Sequence, residues 1–260
     1  MTVLPASLAT ASLAFLLGLS VGSFVAAAAI RIPCGTTLWG RSACPHCGSS
    51  LGVADLVPVL SWLVLRGRCR HCHAPVPGRY TLVELATGCL WLGCSLCLPD
   101  PVWGLTLALL GTILLLAGLI DLDHLYLPDP LMLAAALLVL LPWTAGLSSP
   151  VQGLAGAGLF GGLALLLRCI ASWRAGREAM GLGDVKLMTV AGLWLGPWLL
   201  APFLFLAGTM GIGLALLRQR SGPDRGPEVP FGPALALALL ILLFLVIRQW
   251  PPLASISGPL

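Results

Sequence analysis

The stretch VWGLTLALLGTILLLAGLIDLDHLYLPD, residues 102–129, decides the class of fold. Its first 19 residues, 102–120, carry no charge, and about 20 apolar residues are what a helix needs to cross a bilayer. Two carboxylates, Asp121 and Asp123, follow at once. An ionisable group near lipid is costly and is by default a candidate functional residue. The stretch therefore predicts a membrane helix that ends at a functional site.

The rest of the chain has the same character. Hydrophobic residues make up 58% of the 260 residues and charged residues only 9%, and the mean hydropathy is +0.98. These values lie far outside the range of a soluble globular domain, so we predict an all-α polytopic membrane protein with about eight transmembrane helices. The candidate segments are 6–30, 82–98, 102–120, 131–147, 151–171, 185–200, 202–217 and 232–247.

The positive charges predict the orientation of these helices. With the amino terminus outside, 13 of the 14 Lys and Arg residues fall in inner loops, and only Arg248 lies outside. The first segment has no basic residue before it and is therefore predicted to be a retained helix rather than a cleaved signal. The net charge of +4 follows from this topology and does not require a nucleic-acid partner.

Two C-x2-C pairs, separated by 21 residues, lie in the largest inner loop, within the segment CPHCGSSLGVADLVPVLSWLVLRGRCRHC. Two tight turns that each present two thiolates are typical of a closed, structural zinc site. A pair of disulfides is the alternative, but the predicted loop faces the reducing cytosol. The neighbouring His46, His71 and His73 are interpreted as bystanders, because four thiolates complete the shell. The predicted ligands are Cys44, Cys47, Cys69 and Cys72.

Five further cysteines have no such spacing. We interpret them as buried thiols of an apolar bundle. They are Cys34, Cys89, Cys94, Cys97 and Cys169.

Most of the ten acidic residues have ordinary explanations. Asp100 and Asp129 each precede a proline at the start of an apolar run, which is the pattern of a helix N-cap. Glu84 opens the second segment, where a carboxylate favours the helix dipole and can pair with Arg79; a substrate or cofactor role for it stays open. The acidic residues predicted to be solvated in loops are Asp55, Glu178, Asp224 and Glu228.

Three acidic residues remain, Asp121, Asp123 and Asp184, and the topology places all three at the inner membrane face. Asp121 and Asp123 are about 200° apart around a helix, so at most one of them readily points at Asp184. Asp184 follows Gly181 and Gly183, which permit close approach of a bound strand or a neighbouring helix.

Two carboxylates about 4 Å apart repel by about 4 kcal/mol at an effective dielectric near 20. At neutral pH such a pair shares one proton, so that one member can take a proton from water while the other polarises a carbonyl. Aspartic-protease chemistry is therefore one reading of these residues. Coordination of a cation or proton in a transporter is a second, and a zinc-bearing scaffold without catalysis is a third.

Seven pieces of the chain together resemble the type IV prepilin leader peptidases, which are bacterial membrane aspartyl peptidases of the GxGD class. The resemblance extends in order over residues 21–233. The pieces are VGSF with RIP, CPHCG, PVLSWLVLRGRCRHC, GRYTLVELATG, IDLDHLYLPD, MGLGDVKLM and PFGP.

The resemblance implies that the catalytic pair is Asp121, six residues before the Leu of the Leu-Pro dipeptide, and Asp184 of the GxGD motif. Asp123 is then a supporting or solvated residue. The substrates implied are membrane-inserted type IV prepilins or type II secretion pseudopilins, cut after a glycine that ends a short basic leader. The implied location is the cytoplasmic face of the bacterial inner membrane. The other supporting residues are Gly181, Gly183 and Lys186.

Many members of this family also methylate the new amino terminus with S-adenosylmethionine, an activity associated with the zinc-bearing region. This chain departs from the family there. VAAAAIRIP, residues 25–33, stands where an Asn-containing stretch is usual, the segment 33–44 is short, and ADLVPVLSW, residues 54–62, lacks the usual Glu-Asn. No Gly-rich cofactor fingerprint is visible, so methyl transfer stays an expectation with no residue assigned to it.

The expected organisation follows from these readings. Zinc is the expected structural cofactor, S-adenosylmethionine is the cofactor of any methyl transfer, and the bilayer and the pilin-like substrates are the partners. The predicted parts are the first transmembrane helix at 1–30, the cytoplasmic tetracysteine zinc loop at 31–81, the seven-helix membrane peptidase domain at 82–250 and a tail at 251–260.

Overall fold

The computed structural model describes residues 8–98, 100–178, 180–220 and 230–248, and its regular elements there are all helical. The predicted tail, 251–260, and the predicted loop residues Asp224 and Glu228 lie outside the described residues. The α-helices are α1 (Leu8–Arg31), α2 (Leu60–Val64), α3 (Arg79–Cys97), α4 (Pro101–His124), α5 (Asp129–Leu137), α6 (Leu140–Thr144), α7 (Pro150–Ala175), α8 (Leu182–Leu195), α9 (Leu200–Arg220) and α10 (Gly232–Ile247). Short 3₁₀ helices cover Val53–Leu56 and Pro197–Leu199.

The prediction of an all-α polytopic membrane protein is confirmed, and each of the eight predicted segments corresponds to apolar helix. Five stretches in the described part of the chain are long and apolar enough to span a bilayer. The remaining three segments are shorter and correspond to α5 with α6, to α8 and to α10. The five long stretches are Leu8–Arg31, Arg79–Cys97, Pro101–His124, Pro150–Ala175 and Pro197–Gln219.

Two of the short segments end or break at a proline or a glycine. The segment predicted at 131–147 divides between α5 and α6, and this division places Pro142 in the first turn of α6, where a proline is tolerated. The segment predicted at 185–200 ends early, because Gly196 adopts a φ of 68° that favours glycine. Pro197 follows directly and lacks the N–H that would continue the helix.

The chain divides after Cys97 into two compact units. In the first unit α1 packs along α3. A Cβ atom built on Gly18 would lie 2.8 Å from the carbonyl oxygen of Thr87, and one on Gly22 would lie 2.7 Å from Cα of Glu84. Gly18 and Gly22 form a G-x3-G pattern, and such small residues let two membrane helices approach closely. The predicted functional boundary at residue 82, which falls inside α3, stays a prediction.

The segment between α1 and α3 is anchored to α3. The backbone N–H of Val59 donates a hydrogen bond to Oε2 of Glu84 at 2.8 Å, and Nε1 of Trp62 donates to the carbonyl oxygen of Val76 at 3.0 Å. Val59 has a φ of 62°, a conformation that is strained for a β-branched residue. The bond to Glu84 therefore holds the loop in a conformation that its own sequence disfavours.

The second unit is built around α8 and α10. Helix α10 packs against α4, α8 and α9, and α7 packs along α8. Gly156 of α7 faces Gly192 of α8 so closely that a Cβ atom on Gly192 would lie 2.3 Å from the carbonyl oxygen of Gly156. Leu187 and Ala191 of α8 are fully buried. The short helices α8 and α10 thus form the interior of this unit, and the ends of both carry residues of the candidate active site.

Candidate active site and metal centre

Asp121 lies in the last turn of α4, and its side chain is buried. Its Oδ2 accepts a hydrogen bond of 3.0 Å from the backbone N–H of Gly232, the first residue of α10. A Cβ atom on Gly232 would lie 2.7 Å from that oxygen, so only glycine leaves room for the carboxylate. The amino end of a helix carries a partial positive charge, and Asp121 therefore sits where a carboxylate is stabilised.

Asp184 lies in the first turn of α8 and is partly buried. The N-cap of this helix is Gly181, without a side-chain cap bond. A Cβ atom on Gly183 would lie 3.0 Å from Cβ of Leu127, so the second glycine of the GLGD motif allows the chain that follows α4 to pack against α8. This is the close approach of a neighbouring segment that the glycines predicted.

Leu127 lies beside a neighbour of each of the two carboxylates. It contacts Gly183, next to Asp184, and it also lies 3.3 Å from a Cβ atom built on Gly232, the partner of Asp121. The structure therefore brings the immediate surroundings of Asp121 and Asp184 together at Leu127, although the two residues are far apart in the chain.

Two other predicted supporting residues, Asp123 and Lys186, differ in exposure and in bonding from the two carboxylates. Asp123 is exposed on the last turn of α4. Lys186 of α8 forms an ion pair with Asp129 at the start of α5. The capping prediction for Asp129 is wrong, since Pro128 is the N-cap of α5 and Asp129 is its first helical residue.

The capping prediction for Asp100 is confirmed, because Oδ1 of Asp100 accepts hydrogen bonds from the backbone N–H groups of Val102 at 2.7 Å and Trp103 at 3.3 Å. Two loop acids predicted to be solvated form ion pairs, and one of them, Glu178, is at the same time 82% exposed. Asp55 pairs with Arg70 at 2.7 Å, and Glu178 pairs with Arg168 at 2.9 Å.

Arg168 was not predicted as a site residue. It lies on α7, and its Nη1 donates to the carbonyl oxygen of Met180 while its Nη2 binds Glu178. Its side chain is only 15% exposed, whereas that of Glu178 is 82% exposed. Arg168 therefore holds the segment that leads into Gly181 and α8. Nothing in the local sequence pattern identifies a partner 12 positions away across a loop.

The four cysteines of the two C-x2-C pairs converge on one point. Their sulfur atoms all lie within 4.8 Å of one another, and the Sγ atoms of Cys44 and Cys72 are 3.8 Å apart. A tetrahedral zinc ion with Zn–S bonds of about 2.3 Å requires sulfur atoms about 3.8 Å apart. The four cysteines can therefore hold a metal ion, and their spacing fits zinc.

The two cysteine turns have matching backbone structures. The N–H of Cys44 donates to the carbonyl oxygen of Ser49, and that of Cys69 donates to the carbonyl oxygen of Ala74. Gly48 and His73, each just after the second cysteine of its pair, both have positive φ, 70° and 56°. His73 thus occupies the turn position that Gly48 occupies in the other pair, and among the described residues the candidate ligand group consists of the four cysteines.

Local hydrogen bonds prepare one of these thiols to bind a metal. Bonding to the side chain and backbone of Ser49 lowers the pKa of Cys47 to about 6. A thiol with such a pKa is largely a thiolate at neutral pH, which is the form that binds a metal.

The burial prediction for the other five cysteines is largely wrong. Only Cys94 is buried, and Cys97 is intermediate. Cys34, Cys89 and Cys169 are exposed. Cys34 lies beyond the end of α1. For Cys89 of α3 and Cys169 of α7, hydropathy alone does not tell which face of an apolar helix is turned outwards.

Comparisons with known proteins agree with this arrangement. The model of the bacterial peptidase A24 N-terminal domain matches residues 16–98, and that of the type IV leader peptidase family matches residues 108–216. The gap between these matches falls just beyond the division of the chain after Cys97. No solved structure matches the chain significantly.

Curated relatives align with most of the chain. The type 4 prepilin-like proteins leader peptide-processing enzyme of Escherichia coli O78:H11 is 37% identical over 207 residues, covering 79% of this chain and 76% of the relative. The prepilin leader peptidase/N-methyltransferase of Aeromonas hydrophila is 41% identical over 209 residues, covering 76% and 69%. That of Burkholderia pseudomallei (strain K96243) is 40% identical over 215 residues, covering 78% and 67%. The chain is therefore a membrane peptidase and belongs to the type IV leader peptidase family.

Proposed function

We propose that the protein is an aspartyl endopeptidase in which Asp121 and Asp184 form the catalytic pair. The observation that carries this proposal is that Leu127 packs beside Gly183, the neighbour of Asp184, and beside Gly232, whose N–H binds Asp121. Both side chains are withdrawn from full solvent exposure, and this strengthens their mutual repulsion. A pair in this situation holds one proton between its two carboxyl groups.

The shared proton supplies both halves of general acid–base catalysis. The ionised carboxylate accepts a proton from water as the water oxygen forms a bond to the carbonyl carbon of the scissile peptide. The protonated carboxyl donates its proton to the carbonyl oxygen. Collapse of this intermediate breaks the C–N bond, and a proton transferred to the nitrogen gives a new carboxyl terminus and a new amino terminus.

We propose type IV prepilins or type II secretion pseudopilins as substrates, cut after the glycine that ends a basic leader. The names of the relatives support this choice, since they are leader peptide-processing enzymes and prepilin leader peptidases. The carboxyl end of α4 and the amino ends of α8 and α10 carry the site. Residues at these ends can reach a leader that projects from the membrane surface.

We propose that this surface is the cytoplasmic face of the bacterial inner membrane, with the amino terminus of the protein outside. The support is the concentration of 13 of the 14 cations in the predicted inner loops. In this orientation the cysteine loop also faces the reducing cytosol, which keeps its thiols available for a structural zinc ion. A closed four-thiolate shell leaves no position for a catalytic water.

We also propose that the protein methylates the new amino terminus, as the names of several relatives indicate for those proteins. S-adenosylmethionine would supply an electrophilic methyl group, its sulfur keeping the electron pair of the broken S–CH₃ bond while the amine nitrogen forms the new N–C bond and releases a proton. The departures around residues 25–33 and 54–62 make this the part of the function that most needs a direct test.

Co-expression with a candidate prepilin tests both activities at once. A mass spectrum of the pilin reports loss of the leader and gain of one methyl group on the same molecule. We expect both changes with the wild-type protein. An intact leader in the presence of well-expressed, membrane-inserted enzyme would contradict the proposed peptidase function, and a shortened but unmethylated pilin would contradict methyl transfer alone.

A further inference from the structure

Three large apolar side chains of the short helix α2 are exposed, 60% for Leu60, 56% for Leu63 and 79% for Val64. These three residues form the outer surface of α2. Ser61 and Trp62 of the same helix instead line a cavity together with residues of α1 and α3. Exposed apolar residues grouped on one side of an element mark an interaction surface. The outer surface of α2 therefore requires a partner.

Helix α2 begins beside α3 rather than beyond its end. The backbone N–H of Val59, the N-cap of α2, donates to Oε2 of Glu84 at 2.8 Å. Glu84 is the sixth residue of α3, so it lies about 7.5 Å along the helix axis from Arg79. The start of α2 is thus within the reach of one Glu side chain from that level.

The bilayer extends to this level of α3. Helix α3 has 19 residues, which is about 28 Å of helix, and the hydrocarbon core of a bilayer is about 30 Å thick. Nearly the whole of α3 is therefore needed to cross the membrane. Apolar residues of interfacial helices are buried about 5–10 Å into the boundary between headgroups and acyl chains. The outer surface of α2 lies at a matching depth.

The backbone at the entry into α2 is suited to this depth. Near hydrocarbon a backbone N–H must have a partner, and Glu84 supplies one for Val59. Pro58, the residue before Val59, has no N–H. These two residues at the entry into α2 therefore leave no N–H unsatisfied.

The chain is basic just after α2. Asp55 is the only acidic residue of the segment 53–70, and it pairs with Arg70 at 2.7 Å. Arg66 and Arg68, which follow Val64, are exposed. Arginine side chains next to an apolar surface extend to the headgroups, and anionic lipids attract such residues. The charges after α2 thus complement an anionic membrane surface.

We propose that the outer surface of α2 inserts into the leaflet at the face where α1 ends and α3 begins, with Arg66 among anionic phospholipid headgroups. The partner of this surface is the bilayer itself. The proposal depends on α1 and α3 crossing the membrane and not on the peptidase or methyl-transfer activity. Cys69 follows Val64 by five positions, so the insertion holds the cysteine centre close to the membrane surface.

A fluorescent amino acid in place of Leu63 tests this location in the full-length protein. The nanodiscs contain phospholipid with brominated acyl chains, which quench a fluorophore in contact with lipid, and iodide is the aqueous quencher. Two reference proteins carry the fluorophore instead at Leu82, an exposed residue of the spanning helix α3, or at Ser50, an exposed residue of the first cysteine turn.

We expect brominated lipid to quench the fluorophore at position 63 within about twofold of that at position 82, and iodide to quench it at least about threefold less than that at position 50. Quenching by iodide as strong as at position 50, with none by brominated lipid, would overturn the proposal. Protection from iodide without quenching by brominated lipid would assign the surface to a protein partner and would equally overturn it.

Leu63→Asp, with the fluorophore at Val64, tests whether the apolar side chain drives the insertion. A carboxylate is disfavoured at this depth, and we expect quenching by brominated lipid to fall about threefold or more. Leu63→Met is the matched control, because it keeps an apolar side chain of similar volume, and it should leave the quenching unchanged. Equal quenching in the Leu63→Asp variant and the protein with Leu63 would contradict the insertion.

Arg66→Gln tests the contact with headgroups. With the fluorophore at position 63, we expect brominated lipid to quench about twofold more in nanodiscs of phosphatidylglycerol, which is anionic, than in those of phosphatidylcholine, which is neutral. Arg66→Gln should reduce this difference. Equal quenching in the two lipids when Arg66 is present would overturn the assignment of Arg66 to anionic headgroups.

Discussion

Gly232 donates its backbone N–H to Oδ2 of Asp121, a residue 111 positions earlier in the chain, at a distance of 3.0 Å. This bond joins the end of α4 to the start of α10. It also explains the glycine in the PFGP segment, since no side chain fits between this backbone and the carboxylate.

The first prediction concerns this close approach. In Gly232→Ala the new Cβ atom would lie 2.7 Å from Oδ2 of Asp121, so the carboxylate has to move. We expect the rate of leader removal, measured as kcat/KM, to fall about 100-fold, because a displacement of about 1 Å in a catalytic group has effects of this size.

Gly158→Ala on α7 is the matched control. A Cβ atom on Gly158 meets nothing within 4 Å, and alanine is the better helix former. We expect this variant to process prepilin like the wild type. Normal processing by Gly232→Ala would show that Asp121 need not occupy its observed position.

The second prediction concerns Arg168, which holds the carbonyl oxygen of Met180 ahead of α8. Arg168→Ala frees the segment that positions Asp184, and we expect kcat to fall about tenfold or more with a smaller change in KM. The measurement is steady-state cleavage of a prepilin in membranes.

Glu178→Gln separates positioning from the ion pair. The substitution removes the ion pair between Glu178 and Arg168 but leaves the hydrogen bond from Arg168 to the carbonyl oxygen of Met180. Because Glu178 is 82% exposed, the ion pair contributes at most about 1 kcal/mol to stability. We expect cleavage within about twofold of the wild type. Equal losses in the two variants would contradict the positioning role of Arg168.

The third prediction concerns the cysteine centre. Metal analysis of the purified protein should find about one equivalent of zinc, since the four sulfur atoms all lie within 4.8 Å of one another and four thiolates complete one zinc site. Cys44→Ser should reduce the zinc content to less than about half and make the loop between α1 and α3 sensitive to protease, because metal binding stabilises such loops.

Cys34→Ser is the control for that experiment, because Cys34 is exposed and lies outside the candidate ligand group. It should keep the zinc content of the wild type. A protein with reduced cysteines and no bound zinc would contradict the assignment.

Much of this architecture could be predicted from the sequence. Long apolar runs identify the spanning helices, because a bilayer leaves the backbone few alternatives. The C-x2-C spacing identified the cysteine centre, since the ligands of each turn are close in the chain. The predicted topology puts Asp121 and Asp184 at one membrane face and the family resemblance selects them over Asp123, and both of these stay predictions.

The features that sequence reasoning missed depend on contacts between distant segments. The backbone N–H groups of Gly232 and Val59 donate to the side chains of Asp121 and Glu84. Every residue except proline has such a donor, so the residue type does not reveal the bond. Asp129 fits a capping pattern locally, yet it pairs with Lys186, 57 positions away. A local sequence pattern is compatible with more than one partner for a side chain, and tertiary packing determines which partner it has.

Cleavage of a membrane-inserted prepilin by Asp121→Asn, Asp184→Asn and Asp123→Asn tests the central claim most directly. The last is a matched control, since it removes an exposed carboxylate from the same turn of α4. We predict that the first two variants insert normally but lose leader removal by about 1,000-fold or more, and that Asp123→Asn cleaves within about twofold of the wild type. Cleavage near the wild-type rate by either Asp121→Asn or Asp184→Asn would contradict the account.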